Sequence, residues 1–178
     1  MTTTWLGRTF DGKYGLLIEE HVLVELDRMC LEAGTFETGG VLVGRYSEDL
    51  AVAIVREATP PPSDSQRGMS WFSRGVLGLR GKLRRRWGAQ VHSFYLGEWH
   101  YHPSAHVEPS PTDINQMFTI RDDSNYHCAE PIMVILGQAG DGGERPVKAF
   151  VFPRSDAYAE IVKLLINGLP LSALRASS

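Results

Sequence analysis

The sequence predicts a mixed α/β (α+β) domain built on one central, largely antiparallel sheet. Three observations point there. Several stretches repeat apolar residues at three- and four-residue steps, the mark of helices with one buried face. Other short runs are β-branched or continuously apolar and are bounded by glycine or proline, as strands are. The two kinds follow one another irregularly, which fits a layered mixed fold better than a regular strand–helix winding. At 178 residues the chain is one domain's worth, with a single domain over 1–178 and a core from about 15 to 168.

Residues 5 to 10 read as a short edge strand. From Ile18 to Ala33 the residues Ile18, Val22, Leu26, Met29, Cys30 and Ala33 form one apolar stripe, and Gly34 supplies the stop. Cys30 lies in that stripe, so it reads as core, and His21 lies off it, so it reads as exposed. Gly40–Gly44 is an apolar strand, and Leu50–Ala58, with Val52, Ile54 and Val55, pairs with it. Pro60–Gly68 is an ordered, turn-rich loop. Trp71 and Phe72 follow, either as core aromatics or as part of a wall along a peptide groove. Gly75–Trp87 carries Val76, Leu79, Leu83 and Trp87 at helical spacing, opposite Arg80, Lys82, Arg84, Arg85 and Arg86. That basic face is either solvated or a dock for an acidic partner. Phe94–His102 is a strand and Pro111–Arg121 a helix. Ile132–Leu136 and Val147–Phe152 are strands joined by a Gly/Asp turn. Ala157–Asn167, with Tyr158, Ile161, Val162 and Leu165, reads as a closing helix ended by Gly168.

The chemistry concentrates at Gly97-Glu98-Trp99-His100-Tyr101-His102-Pro103 and its continuation Ser110-Pro111-Thr112-Asp113. On a strand, side chains alternate faces, so His100 and His102 point the same way, about 7 Å apart. Pro103 ends the strand because it has no N–H for the ladder. Ser110 then reads as a helix N-cap with Pro111 at the first helical position. Asp113 falls in the first turn, free to face the strand end. Two imidazoles and one carboxylate leave a fourth position for water, the donor set of a catalytic zinc. Ser-x-x-Asp is also an ordinary helix-opening arrangement. Glu98 shares the facing of the two histidines and is a rival general base or ligand. His106 and Glu108 lie in the connecting loop, and His92 and His127 have no evident partner.

With Glu37 upstream, in Glu37-Thr38-Gly39-Gly40-Val41-Leu42-Val43-Gly44, these residues resemble the JAMM (MPN+/JAB) metallopeptidase motif. Pro60-Pro61-Pro62-Ser63-Asp64-Ser65, Trp71-Phe72-Ser73-Arg74 and Gly97-Glu98-Trp99-His100 resemble a bacterial branch of it, which includes the deconjugating protease of CBASS antiphage systems. The resemblance spans about residues 15 to 155. It implies a cytidine-deaminase-like sheet flanked by helices, and one Zn2+ held by His100, His102 and Asp113. It implies Glu37 as the proton carrier, and Ser110 fits the role of donor to the oxyanion. The implied reaction is peptide or isopeptide hydrolysis after the C-terminal residue of a ubiquitin-like conjugate; in the CBASS branch the conjugated protein is the nucleotidyltransferase (CD-NTase). Trimming of a sulfur-carrier protein is the alternative substrate, and a non-catalytic scaffold the alternative class. The Gly39-Gly40 pair at the start of that strand would let backbone approach the metal or substrate closely.

Composition narrows the partners. A net charge of −3 argues against a general nucleic-acid binder. Two cysteines, Cys30 and Cys128, make no disulfide framework and fit a reducing cytoplasm. No apolar run reaches membrane-spanning length and no signal pattern opens the chain, so the expected location is cytoplasmic. A zinc nucleobase deaminase would need His-x-Glu and Pro-Cys-x-x-Cys, and the chain has His100-Tyr101-His102 and no cysteine pair.

Overall fold

The computed structural model describes residues 4–90, 92–104, 106–141, 143, 145–155 and 157–164. In chain order the strands and helices are β1 (Trp5–Thr9), β2 (Gly15–Ile18), α1 (Glu20–Ala33), β3 (Thr38–Tyr46), β4 (Val52–Ala58), β5 (Gln66–Arg67), β6 (Phe72–Ser73), α2 (Leu79–Trp87), β7 (Phe94–Tyr101), α3 (Pro111–Asp122), β8 (Ile132–Leu136), β9 (Val147–Val151) and β10 (Ala159–Lys163). A 3-10 turn, Ser124–Tyr126, follows α3. Eight strands close on themselves in the order β1-β10-β9-β8-β7-β3-β4-β2, and β5 and β6 form a separate small hairpin. Among the described residues only β2/β4 and β7/β8 pair in parallel, so the sheet is largely antiparallel, as expected.

Two expectations fail at the closure. The stretch expected to be a closing helix is instead strand β10, which pairs antiparallel with β9 and with β1. Ile161 is buried and its neighbours Glu160 and Val162 face out, the two-residue alternation of a strand; β-branched Ile161 and Val162 suit it. The last residues of that expected helix, and Gly168, lie outside the described residues. For the same reason β1 is no edge strand, being hydrogen-bonded on both sides, to β10 and β2. A strand with partners on both sides has no open ladder, so tertiary pairing overrides local propensity here.

The remaining elements follow their sequence signals with small shifts. Helix α1 starts two residues later than expected because Ile18 is spent on β2, where it pairs with Trp5 and Val55. Its buried Val22, Leu26 and Met29 each contribute about 1.5–3 kcal/mol. Gly34 ends it at φ 63°. Helix α2 starts at Leu79 because the amides of Val76 and Leu77 are taken by Asp64, at 3.0 Å each, and that of Gly75 by Ser65. Its basic face divides: Lys82 and Arg86 both pair with Glu57 at 2.7 Å, whereas Arg80, Arg84 and Arg85 carry no ion pair among the described residues.

The central strands β3, β7 and β8 are buried on both faces over most of their length. One cluster joins α1 to Trp5, Leu16, Leu42, Leu96, Trp99, Tyr101, Val134 and Ile161. The other joins Met117 and Ile120 of α3 to Val41, Val43, Tyr95, Met133, Ile135 and Phe150. Because β7 and β8 are parallel, the chain must cross over between them, and α3 is carried in that crossover over one face of β7. Gly97, at φ 149°, permits the close approach of β8: a Cβ there would meet the Ile132 carbonyl at 1.8 Å.

Candidate metal centre

Strand β7 sends Trp99 and Tyr101 into the α1-side cluster, so Glu98 and His100 face the other side, under α3. His102 sits one residue past the strand, its amide still donating to the Leu136 carbonyl at 2.9 Å. Ser110 caps α3 as expected. Its Oγ accepts from the Asp113 amide at 3.2 Å, and the Asp113 carboxylate in turn accepts from the Ser110 amide at 2.8 Å. This reciprocal cap holds Asp113 toward the end of β7.

The result is a compact donor set. His100, His102 and Asp113 each offer one ligand atom, and these atoms lie within 4.8 Å of one another. His100 Nδ1 is 2.8 Å from Asp113 Oδ1, and His102 Nε2 is 3.8 Å from Oδ2. The other ring nitrogen of His102, Nδ1, is directed at the His106 carbonyl at 3.3 Å, which favours the tautomer with Nε2 free as a ligand. Two imidazoles and a carboxylate, half-buried or better and oriented by outer partners, fit a zinc-type ion.

Electrostatics bind the three together. Burial works to raise the Asp113 carboxyl, but the His100 hydrogen bond and charge, with the Ser110 hydroxyl and amide, outweigh it and hold it at about 2. Burial likewise works to lower His100, but Asp113 and Glu98 beside it push it up to about 9. His102 goes the other way, lowered chiefly by burial.

Glu37 lies between α1 and β3, half-buried, its amide donating to Gly68 of the β5–β6 hairpin at 2.9 Å. The next residue, Thr38, pairs with Tyr101, so Glu37 stands beside the strand end that bears His102. Its carboxyl is raised, first by burial and then by the charge of Asp113, with His100 opposing. Ser110 Oγ, besides capping, donates to Asp113 Oδ2 at 2.7 Å.

Residues 19–151 match the family described as prokaryotic homologs of the JAB domain. The chain belongs to that family. It is 44% identical over 154 residues to a CD-NTase/cGAS isopeptidase of Enterobacter hormaechei subsp. hoffmannii (strain UCI 50), covering 86% of this chain and 83% of that one. It is 30% identical over 102 residues to a probable metalloprotease, y4qB, of Sinorhizobium fredii, covering 56% of this chain and 62% of that one. The fold is shared with the solution structure of protein DSY2949 from Desulfitobacterium hafniense, at a TM-score of 0.54 and 19% identity over 83% of this chain and 88% of that one. This JAB chain is a hydrolase of the metallopeptidase type, dependent on a metal ion.

Several features of this JAB site lie beyond the sequence pattern. A Cβ at Gly39 would meet His100 Cδ2 and Phe72 Cε1 at 2.9 Å, so Gly39 makes room for the His100 ring and the aromatic that packs edge-on against it. Phe72 is thus a buried support for the His100 ring, while Trp71 is exposed. Glu98 is not free to act as base: Arg74 holds it at 2.7 Å and Gln116 of α3 at 2.7 Å. The signal for Gln116 was its place three residues beyond Asp113, on the same helix face; nothing local pointed to Arg74 as its counter-ion. Glu108 pairs with Lys148, and His92 binds the Trp87 carbonyl. His127 lines a cavity of about 520 Å³ with Arg74, Leu79, Tyr95 and Tyr126.

Proposed function

We propose that this chain is a zinc-dependent isopeptidase that cleaves after the C-terminal residue of a ubiquitin-like-conjugated protein, and that this protein is a CD-NTase of an antiphage CBASS system. The observation that carries the chemistry is the gathering of His100, His102 and Asp113 within 4.8 Å beside a half-buried glutamate. The substrate reading rests on the Enterobacter relative, whose name identifies it as an isopeptidase of CD-NTase/cGAS.

His100, His102 and Asp113 would hold the zinc, which when bound supplies Lewis-acid polarisation and an acidified water. Glu37 takes the proton of the attacking water and later delivers it to the leaving amine. Its raised carboxyl suits this double role, since a carrier works best with a pKa brought toward the working pH. Ser110 donates to the oxyanion that forms on the substrate carbonyl, which requires its proton to leave Asp113 Oδ2. No thiol competes as nucleophile: Cys30 and Cys128 are buried, and burial pushes Cys30 up to about 12. The buried free thiols support a cytoplasmic enzyme. Among the described residues no helix is long and apolar enough to cross a membrane.

Trapping tests the reading. Glu37→Ala, expressed in its source cell with the neighbouring genes present, should retain a CD-NTase or its conjugates through the C-terminal residue, identified by mass spectrometry. Retention of a small carrier protein extended beyond its terminal glycine would replace the substrate. Failure to retain any conjugate while zinc is bound would overturn the isopeptidase reading.

A further inference from the structure

Glu98 is fully buried, on the same face of β7 as His100. Arg74, itself buried, reaches its Oε1 through both Nε and Nη2 at 2.7 Å, and the Tyr95 hydroxyl approaches the same oxygen at 3.3 Å. Gln116 donates to Oε2 at 2.7 Å. Tyr126, in turn, accepts from Arg74 at 3.1 Å. Taking a carboxylate and a guanidinium out of water is costly even when they pair, and an apolar pair of similar volume would pin the segment around Arg74 to the sheet without that cost. The charge therefore needs a further reason.

That reason faces it. Glu98 Oε2 is 3.7 Å from His100 Nε2, a nitrogen wholly shielded from solvent and, among the described residues, without a hydrogen-bond partner. The opposite ring nitrogen, Nδ1, is the one turned to Asp113. An imidazole with one nitrogen toward the other ligands and a carboxylate behind the second is how proteins orient a metal-ligating histidine. The separation exceeds a hydrogen bond, so the influence is that of a fixed negative charge acting through a low-dielectric interior.

We infer that Glu98 is the positioning residue of His100: its charge favours the ring with the proton on Nε2 and Nδ1 presented to His102 and Asp113, while Arg74 and Gln116 aim the carboxylate. The inference rests on the metal-holding reading of His100, His102 and Asp113, and it extends that site to a second ring of residues that brings α3 and the loop after β6 to bear on one ligand.

The test reads metal affinity and the environment of the metal, not turnover. Zinc affinity is measured by competition with a chelator for the wild type, E98Q, E98Q/R74M and H102A, and the visible absorption of each Co2+-substituted protein is recorded. E98Q should lose about 10–100-fold in zinc affinity and shift the Co2+ bands. Because E98Q leaves Arg74 buried without its partner, E98Q/R74M removes both charges; it should melt normally without metal and show the same loss. Unchanged affinity and spectrum in the folded variants, with only the melting temperature altered, would overturn the role and leave the ligand set standing, as loss of zinc by H102A would show separately. Full zinc retention by H102A would overturn the ligand set and this inference with it.

Discussion

Strand β7 has two faces that solve opposite problems. Toward α1 it presents Leu96, Trp99 and Tyr101 to an apolar cluster; toward α3 it presents Glu98 and His100, with His102 just beyond its end. The first face lowers the free energy of the fold by removing apolar surface from water. The second buries a carboxylate, a guanidinium and an imidazole, groups whose desolvation opposes folding unless each is paired. The polar face tolerates this because α1, the barrel strands and the apolar part of α3 supply a surplus. Stability and chemistry are thus carried by alternate residues of a single strand, and each should be damaged separately.

The largest effect should come from the polar side. Glu37→Gln should lower turnover about 10²–10⁴-fold, with zinc content and melting temperature unchanged; undiminished turnover would remove Glu37 from the reaction. Leu26→Ala, on the α1 side, should cost about 2–5 kcal/mol in denaturant unfolding while leaving zinc affinity and turnover of the folded enzyme as they were. A fall in zinc affinity would mean the two faces are coupled. Ser110→Ala touches both functions at once. It should lower kcat about 10²–10³-fold if its hydroxyl serves the oxyanion and cost about 1 kcal/mol as an N-cap. A stability loss with kcat intact would reduce Ser110 to a cap.

The smallest effect is a pH dependence of the metal-free protein. His100 is raised from 6.5 to about 9, so the stability it contributes is fully present below 6.5 and is lost as pH rises through about 9. Asp113 is lowered from 3.8 to about 2, so its contribution is present above 3.8 and is lost as pH falls toward 2. With chelator present, the melting temperature should therefore decline on the alkaline side of 6.5. Zinc should flatten that decline, because it takes the place of the proton on His100. A flat alkaline limb without metal would mean that the His100–Asp113 pair contributes nothing to the fold.

What was legible in the sequence was whatever its neighbours determine. The cap of α3 is visible because Ser110, Pro111 and Asp113 lie within one turn, and the common facing of His100 and His102 follows from strand alternation alone. Glu37 lies far from both in sequence and could be connected to them only through a family resemblance. The pairing of Glu98 with Arg74 was hidden because it depends on where an irregular loop returns to the sheet. Strand β10 is ambiguous in the sequence for a related reason: Tyr158, Ile161, Val162 and Leu165 satisfy helical spacing, and the deciding factor is the two strands that flank it in space.

The closed order of the barrel has a consequence for how the molecule forms and opens. The seam sets Gly7 against Lys163, almost the whole chain apart, whereas His100, His102 and Asp113 are joined by a single loop. Contacts across long separations are entropically expensive to close and are expected to come late in folding. The strand, loop and helix that carry His100, His102 and Asp113 can therefore assemble around β7 and β8 before β1 meets β10. Amide hydrogens along the seam should exchange with solvent sooner than those of β7, so that the barrel can part at one side without dispersing His100, His102 and Asp113.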